Sequence, residues 1–197
     1  MAKQEIDTTQ SILIIEEMIN KAKNRFSENG FLYLLWGWVV FICGTGQFIM
    51  MQLNIKQHYL IWLLTWVAVI IQFIYLAKKK NSQRVVTYTD DIIKYVWLSF
   101  VMMGVIFGFL IGKRLAPEQF FFYNLSFLVL YGMPTFLSGI ILKFKPLVMG
   151  GIGCWLIAIA AAFIPETYHS LLFAAAVVIA WIIPGYLLRS KYKKENA

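Results

Sequence analysis

Lys94 to Gly112 reads KYVWLSFVMMGVIFGFLIG. After Lys94 no charge appears until Lys113, a stretch long enough to cross a bilayer's hydrocarbon core as a helix. Gly104, Gly108 and Gly112 fall four residues apart, so on a helix they share one face and let another backbone come close. It is the third of six such stretches and sits at the middle of the chain's topology. The class that follows is an all-α, polytopic membrane protein.

Composition points the same way. The 197 residues are 60% hydrophobic and 14% charged, with a mean hydropathy of +0.68. A soluble domain of this length cannot cover that much apolar surface, so most of its solvent is lipid. The aromatic share of 17% fits, because Trp and Tyr favour membrane–water boundaries. A formal charge of +8 would suggest nucleic acid in a soluble protein. Here the cations sit in short segments between apolar runs, which points to orientation and anionic lipid, and no nucleic-acid partner is expected. Cys43 and Cys154 lie deep in apolar runs, so neither a structural disulfide nor a metal site is expected of them. The first apolar cluster begins at Ile12, after Glu5 and Asp7, so no cleavable signal peptide of the usual form is expected. The first membrane helix then serves as the targeting signal.

Residues 1–30 have a different pattern. Ile12, Ile15, Ile19, Ala22 and Phe26 recur at spacings of three and four, with Glu16, Glu17, Lys21, Lys23 and Arg25 mostly on other faces. That is an amphipathic helix, opened by Asp7 with Gln10 and stopped by Asn29-Gly30. It lies on the cytoplasmic leaflet, pairs with a cytoplasmic protein through residues 7–28, or folds back under its own bundle.

Six uncharged runs follow, at 29–55, 57–77, 95–112, 119–142, 146–165 and 167–188. Each meets the length of a spanning helix, the third and fifth with least to spare. The expected spans are 31–54, 59–77, 92–112, 120–142, 147–164 and 168–188, ahead of a basic tail at 189–197. Placing the amino end and every second loop on one side collects 15 of the 18 Lys and Arg residues there. Only Lys56, Lys113 and Arg114 fall on the other. That asymmetry puts both termini in the cytoplasm. Aromatics are expected at both boundaries, with Tyr59, Trp62 and Phe120–Tyr123 outside and Tyr33, Trp36, Trp38, Tyr95, Trp97 and Tyr186 inside.

Several helix faces are candidates for function. The glycines of the third span can mark a dimerisation face, a pore seam, or close packing within one bundle. Gly150, Cys154, Ala158 and Ala162 repeat every four residues on the fifth span, so spans three and five are expected to pack together. Pro134 and Pro184 each remove a backbone hydrogen bond and kink the fourth and sixth spans. Carbonyls freed beside Tyr131, Thr135 and Ser138 would then line a polar pocket, or the prolines only shape the bundle. No Asp, Glu, Lys, Arg or His sits at mid-membrane depth, which disfavours a proton-coupled carrier. Amides such as Gln47 and Gln72 bind either a polar substrate or a neighbouring helix.

His58 and His169 fall on outer connections near Glu118 and Glu166, a donor set suited to zinc only if the fold gathers it. A solvated interfacial histidine is the simpler reading, and no metal or other cofactor is expected. The chain has no HExxH, GxSxG, CxxC or phosphate loop. On the inner face, Lys78, Lys79, Lys80, Arg84, Lys143 and Lys145 make a collar for anionic headgroups, or simply set topology.

Two stretches, Phe26 to Trp38 (FSENGFLYLLWGW) and Gly132 to Trp155 (GMPTFLSGIILKFKPLVMGGIGCW), resemble a group of small bacterial inner-membrane proteins. Members of that group have an amphipathic amino-terminal helix followed by several spans. The resemblance implies a bacterial cytoplasmic membrane and supplies no functional residues. It also implies that the turn into the fifth span is more than a connector.

Three readings of function follow. The first is a non-enzymatic sensor, scaffold or assembly and regulatory factor acting through its cytoplasmic face, with self-association open to it. The second is a channel or carrier for a small uncharged or lipid-like solute. The third is an enzyme on a lipid substrate. It has only Asp90, Asp91, Glu118, Glu166, His58 and His169 to draw on, split between two faces. They rank in that order.

Overall fold

A computed structural model describes residues 30–82, 88–114 and 121–195. The amphipathic segment 1–29, with its proposed partner face at residues 7–28, lies outside the described residues, as does Arg84. What is described is helical, with no strand. α1 is Phe31–Gln52, a 3-10 segment spans His58–Leu63, α2 is Leu64–Ser82 and α3 is Tyr88–Arg114. α4 is Phe121–Ile141 and α5 is Lys145–Ala161. α6 (His169–Val177), a π-helical turn (Val178–Ile182) and α7 (Ile183–Glu195) follow end to end.

The helix ends follow from local chemistry. α1 starts at Gly30, whose φ of 55° suits a residue without Cβ. It ends in a Schellman motif: Ile55 N–H bonds Met50 O at 2.9 Å and Asn54 N–H bonds Met51 O at 3.0 Å. Asn54 takes the left-handed position, which asparagine tolerates. α4 ends in the same way, with Phe144 N–H on Gly139 O at 2.8 Å and Lys143 N–H on Ile140 O at 3.0 Å. The left-handed residue there is Lys143, at φ 51°, which carries a steric cost that glycine avoids. Pro146 then opens α5, where a missing N–H costs nothing.

Four helices are long and apolar enough to cross a membrane: Phe31–Gln52, His58–Lys78, Asp91–Lys113 and Glu166–Lys191. Ser126–Ile141 and Lys145–Ala161 are shorter apolar helices. α5 stops at Ala161, short of the expected 164, because Phe163 and Ile164 bond carbonyls three residues back and tighten the chain ahead of Pro165.

The central helix is the last one, not the third. Over their apolar stretches the α2 and α3 spans are only 6% buried, whereas Glu166–Lys191 is 56% buried. The reason is which glycines touch backbone. Gly30, Gly37 and Gly44 recur every seven residues on α1. A Cβ on them would lie 2.6 Å from Gly185 O, 2.9 Å from the Ile182 side chain and 2.8 Å from Ser170 O. Gly150 of α5 sits on Ala180, with a Cβ gap of 2.7 Å to its Cα. α4 and α5 form the tightest pair. Cβ atoms on Gly132 and Gly139 would meet Trp155 and Val148 at 2.5 Å, and one on Gly151 would meet Phe136 at 2.7 Å.

The stripe of the third span behaves differently. Gly104 faces only the Phe127 ring, at 3.4 Å, and Gly112 has nothing within 4 Å. The expected seam between spans three and five is therefore replaced: α3 lies against α4, while α5 lies between α4 and the last helix. Gly150, Cys154 and Ala158 are buried there. α2 packs on α1 through Ala68, a Phe31–Tyr75 ring contact at 4.6 Å and a Trp36 N–H donated to Gln72 Oε1.

Gly150→Leu and Gly139→Leu should each cost about 1–3 kcal/mol or more in reversible unfolding in micelles, by overpacking, while Gly112→Leu should stay within about 0.5 kcal/mol. Lys143→Gly should raise stability by about 1 kcal/mol by relieving its left-handed backbone.

Candidate functional site

Pro184 explains the break in the last helix. It has no N–H, and its ring would collide with the carbonyl four residues back, at Ala180. The turn widens instead, and Ile183 N–H bonds Val178 O, five residues back. The widened turn presents Trp181 to the middle of the bundle.

Trp181 joins the interior faces. Its indole N–H donates to Thr135 Oγ1 at 3.1 Å, and Thr135 donates in turn to Tyr131 O at 3.0 Å. Tyr131 stacks on the indole with centroids 4.6 Å apart and planes 27° apart. Trp97 of α3 meets it edge-on at 5.3 Å, and Tyr33 of α1 does so at 6.1 Å. One side chain thus ties α1, α3 and α4 to the last helix. Each such ring pair adds about 0.5–1.5 kcal/mol beyond its burial.

The four expected pocket residues, Tyr131, Pro134, Thr135 and Ser138, are all buried here. The hydroxyl of Thr135 is taken up by Trp181. Tyr131 Oη and Ser138 Oγ have no hydrogen-bond partner of ordinary geometry among the described residues.

Several of the aromatics expected at the boundaries turn inward. Tyr33, Trp36, Trp62 and Trp97 pack against the core, while Trp38, Tyr59, Tyr95 and Tyr186 are exposed. Sequence reasoning missed this because an aromatic near a span's end reads the same whether it turns inward or outward. The seven-residue glycine spacing on α1, and the contact of both proline helices, were also missed. The first was visible in the sequence, the second was not.

The two histidines have separate surroundings. His169 is buried, and its Nε2–H donates to Ala161 O at 2.9 Å and Ile164 O at 3.0 Å, capping the end of α5. His58 lies beside Gln47 of α1, which also bonds Trp62. Among the described residues no group of three His, Cys, Asp or Glu side chains is arranged to hold a metal. Of the inner collar, Lys78, Lys143 and Lys145 are exposed, while the side chains of Lys79 and Lys80 lie outside the described residues.

Trp181→Ala should cost about 3–5 kcal/mol in unfolding measurements, the range for a large buried aromatic. A double-mutant cycle of Trp181→Phe with Thr135→Val should give a coupling of about 0.6–1.7 kcal/mol, the range of interhelical hydrogen bonds in membranes.

No known family model, curated protein or solved structure matches this chain.

Proposed function

We propose that this chain crosses a bacterial cytoplasmic membrane six times with both termini inside, and acts there as a non-enzymatic sensor, scaffold or assembly and regulatory factor. The observation that carries this reading is the closed interior. α1, α4, α5 and the last helix approach through glycines that leave no room for a Cβ, and Trp181, Tyr131 and Phe173 fill the space between them. A carrier needs a solute-sized path at that depth, and this interior is occupied by rings.

The charge pattern supports six spans rather than four. If α4 and α5 failed to cross, the two cation-poor outer loops would lose their alternation with the basic inner ones. Where a span is short, thinning of the bilayer or flanking residues that reach the interface accommodate it at modest cost. The working parts in this reading are residues 7–28 and the basic collar, with anionic lipid and a cytoplasmic protein, or a second copy of the chain, as partners. The carrier reading draws support from one feature, the buried hydroxyls of Tyr131 and Ser138, which invite a small neutral solute.

Deleting residues 1–28 should leave a folded, membrane-inserted protein that no longer recovers its partners in crosslinking. Loss of the folded protein would sink the effector role. Reporter fusions after residues 56, 116 and 166 should report the outer face, and those after residues 83 and 144 the inner. Solute uptake by reconstituted vesicles, abolished by Trp181→Ala, would replace this reading with the carrier.

A further inference from the structure

The outer end of α1 and the 3-10 segment after it share a closed chain of hydrogen bonds. Trp62 Nε1 donates to Gln47 Oε1 at 2.8 Å. An indole N–H can only donate, so this bond fixes which way the Gln47 amide faces. Its nitrogen then faces His58, with Nε2 3.3 Å from Nδ1. An amide NH2 also only donates, so Nδ1 must accept, and the arrangement requires a neutral ring with its proton on Nε2.

Protonation would put a second N–H on the ring, aimed at the amide NH2. Turning the amide over would offer its oxygen to His58 but set NH2 against the Trp62 N–H. In either case one of the two bonds is lost. Histidine is the side chain whose charge changes between about pH 5 and pH 8.

We propose that Gln47, His58 and Trp62 form a proton-operated latch at the outer end of the bundle, closed by neutral His58 and opened when it is protonated. The latch gives the sensor reading a stimulus, and its exposure to the outer medium rests on the orientation proposed above. Its output is α2. Trp62 holds the 3-10 segment to the core by an edge-on contact with Phe173 at 6.0 Å. α2 follows directly and packs on α1. Release of Trp62 leaves the 3-10 segment on α1 through Ile61, at Cys43 and Gly46, and α2 held by Ala68 and by its contacts nearer the inner end, Trp36 with Gln72 and Phe31 with Tyr75. The helix then pivots about them, and Lys78 moves with its inner end.

Other titratable groups surround this end of the bundle. Lys56 and Tyr59 flank His58, and Tyr59 meets it ring edge to ring face at 6.2 Å. α1 brings Cys43, whose thiol donates to Ile61 O at 3.4 Å. The neighbouring turn brings Glu166, Tyr168 and His169. The side-chain hydrogen bond seen on His58 is the one with Gln47.

The test uses the full chain in sealed, right-side-out membrane vesicles, with a nitroxide on Leu60→Cys, an exposed position of the 3-10 segment. Stepping the external medium from about pH 8 to about pH 5 should raise the mobile fraction several-fold and reversibly. His58→Gln should abolish the response. Gln47→Glu should also abolish it, because a carboxylate accepts from both Trp62 and protonated His58. Trp62→Phe should be mobile at both pH values. An unchanged signal in the parent, or an intact response in His58→Gln, would overturn the latch. A response to internal acid alone would support the latch and overturn the orientation.

Discussion

The bundle depends on glycines that let backbones touch. In lipid, helices gain little from hydrophobic burial against one another, so association relies on close van der Waals packing and a few interhelical hydrogen bonds. Gly30, Gly37 and Gly44 bring α1 onto the last helix, Gly150 brings α5 onto it, and Gly132, Gly139 and Gly151 close the α4–α5 pair. At each of these positions a side chain would overlap atoms already present. On α3, Gly104 and Gly112 make no such contact, and most of the apolar surface of α2 and α3 faces outward.

Once the backbones are in contact, the two prolines determine what fills the interior. Pro184 forces a π turn that projects Trp181, and Pro134 precedes the threonine that receives its N–H. A buried indole N–H in hydrocarbon needs an acceptor, and Thr135 Oγ1 provides it. The π turn therefore serves packing: the last helix deforms so that one large side chain can bridge four elements. Tyr131 Oη and Ser138 Oγ are among the buried polar atoms this arrangement leaves without a hydrogen-bond partner among the described residues.

At the outer end the design is polar. Gln47 is bonded on both sides, by Trp62 and His58, and Cys43 bonds the backbone of the same segment. The interior is held by shape, whereas this end is held by directional hydrogen bonds.

Much of the fold was legible without coordinates. Apolar runs between charges located the helices, because a helix that faces lipid must be apolar along its length. The Lys143–Pro146 turn was legible because prolines act locally. What the sequence by itself determined is therefore the class, the helices and their approximate ends. Which glycines matter was decided only by the tertiary structure. The four-residue repeat on α3 and the seven-residue repeat on α1 both place small residues on one face, and nothing local says which face meets a neighbour. The same holds for Trp97, Trp36 and Tyr33: an aromatic at a helix end turns outward or inward according to which helices stand beside it. Trp181 became the hub through contacts made across long sequence distances, and such contacts exist only once the chain has packed.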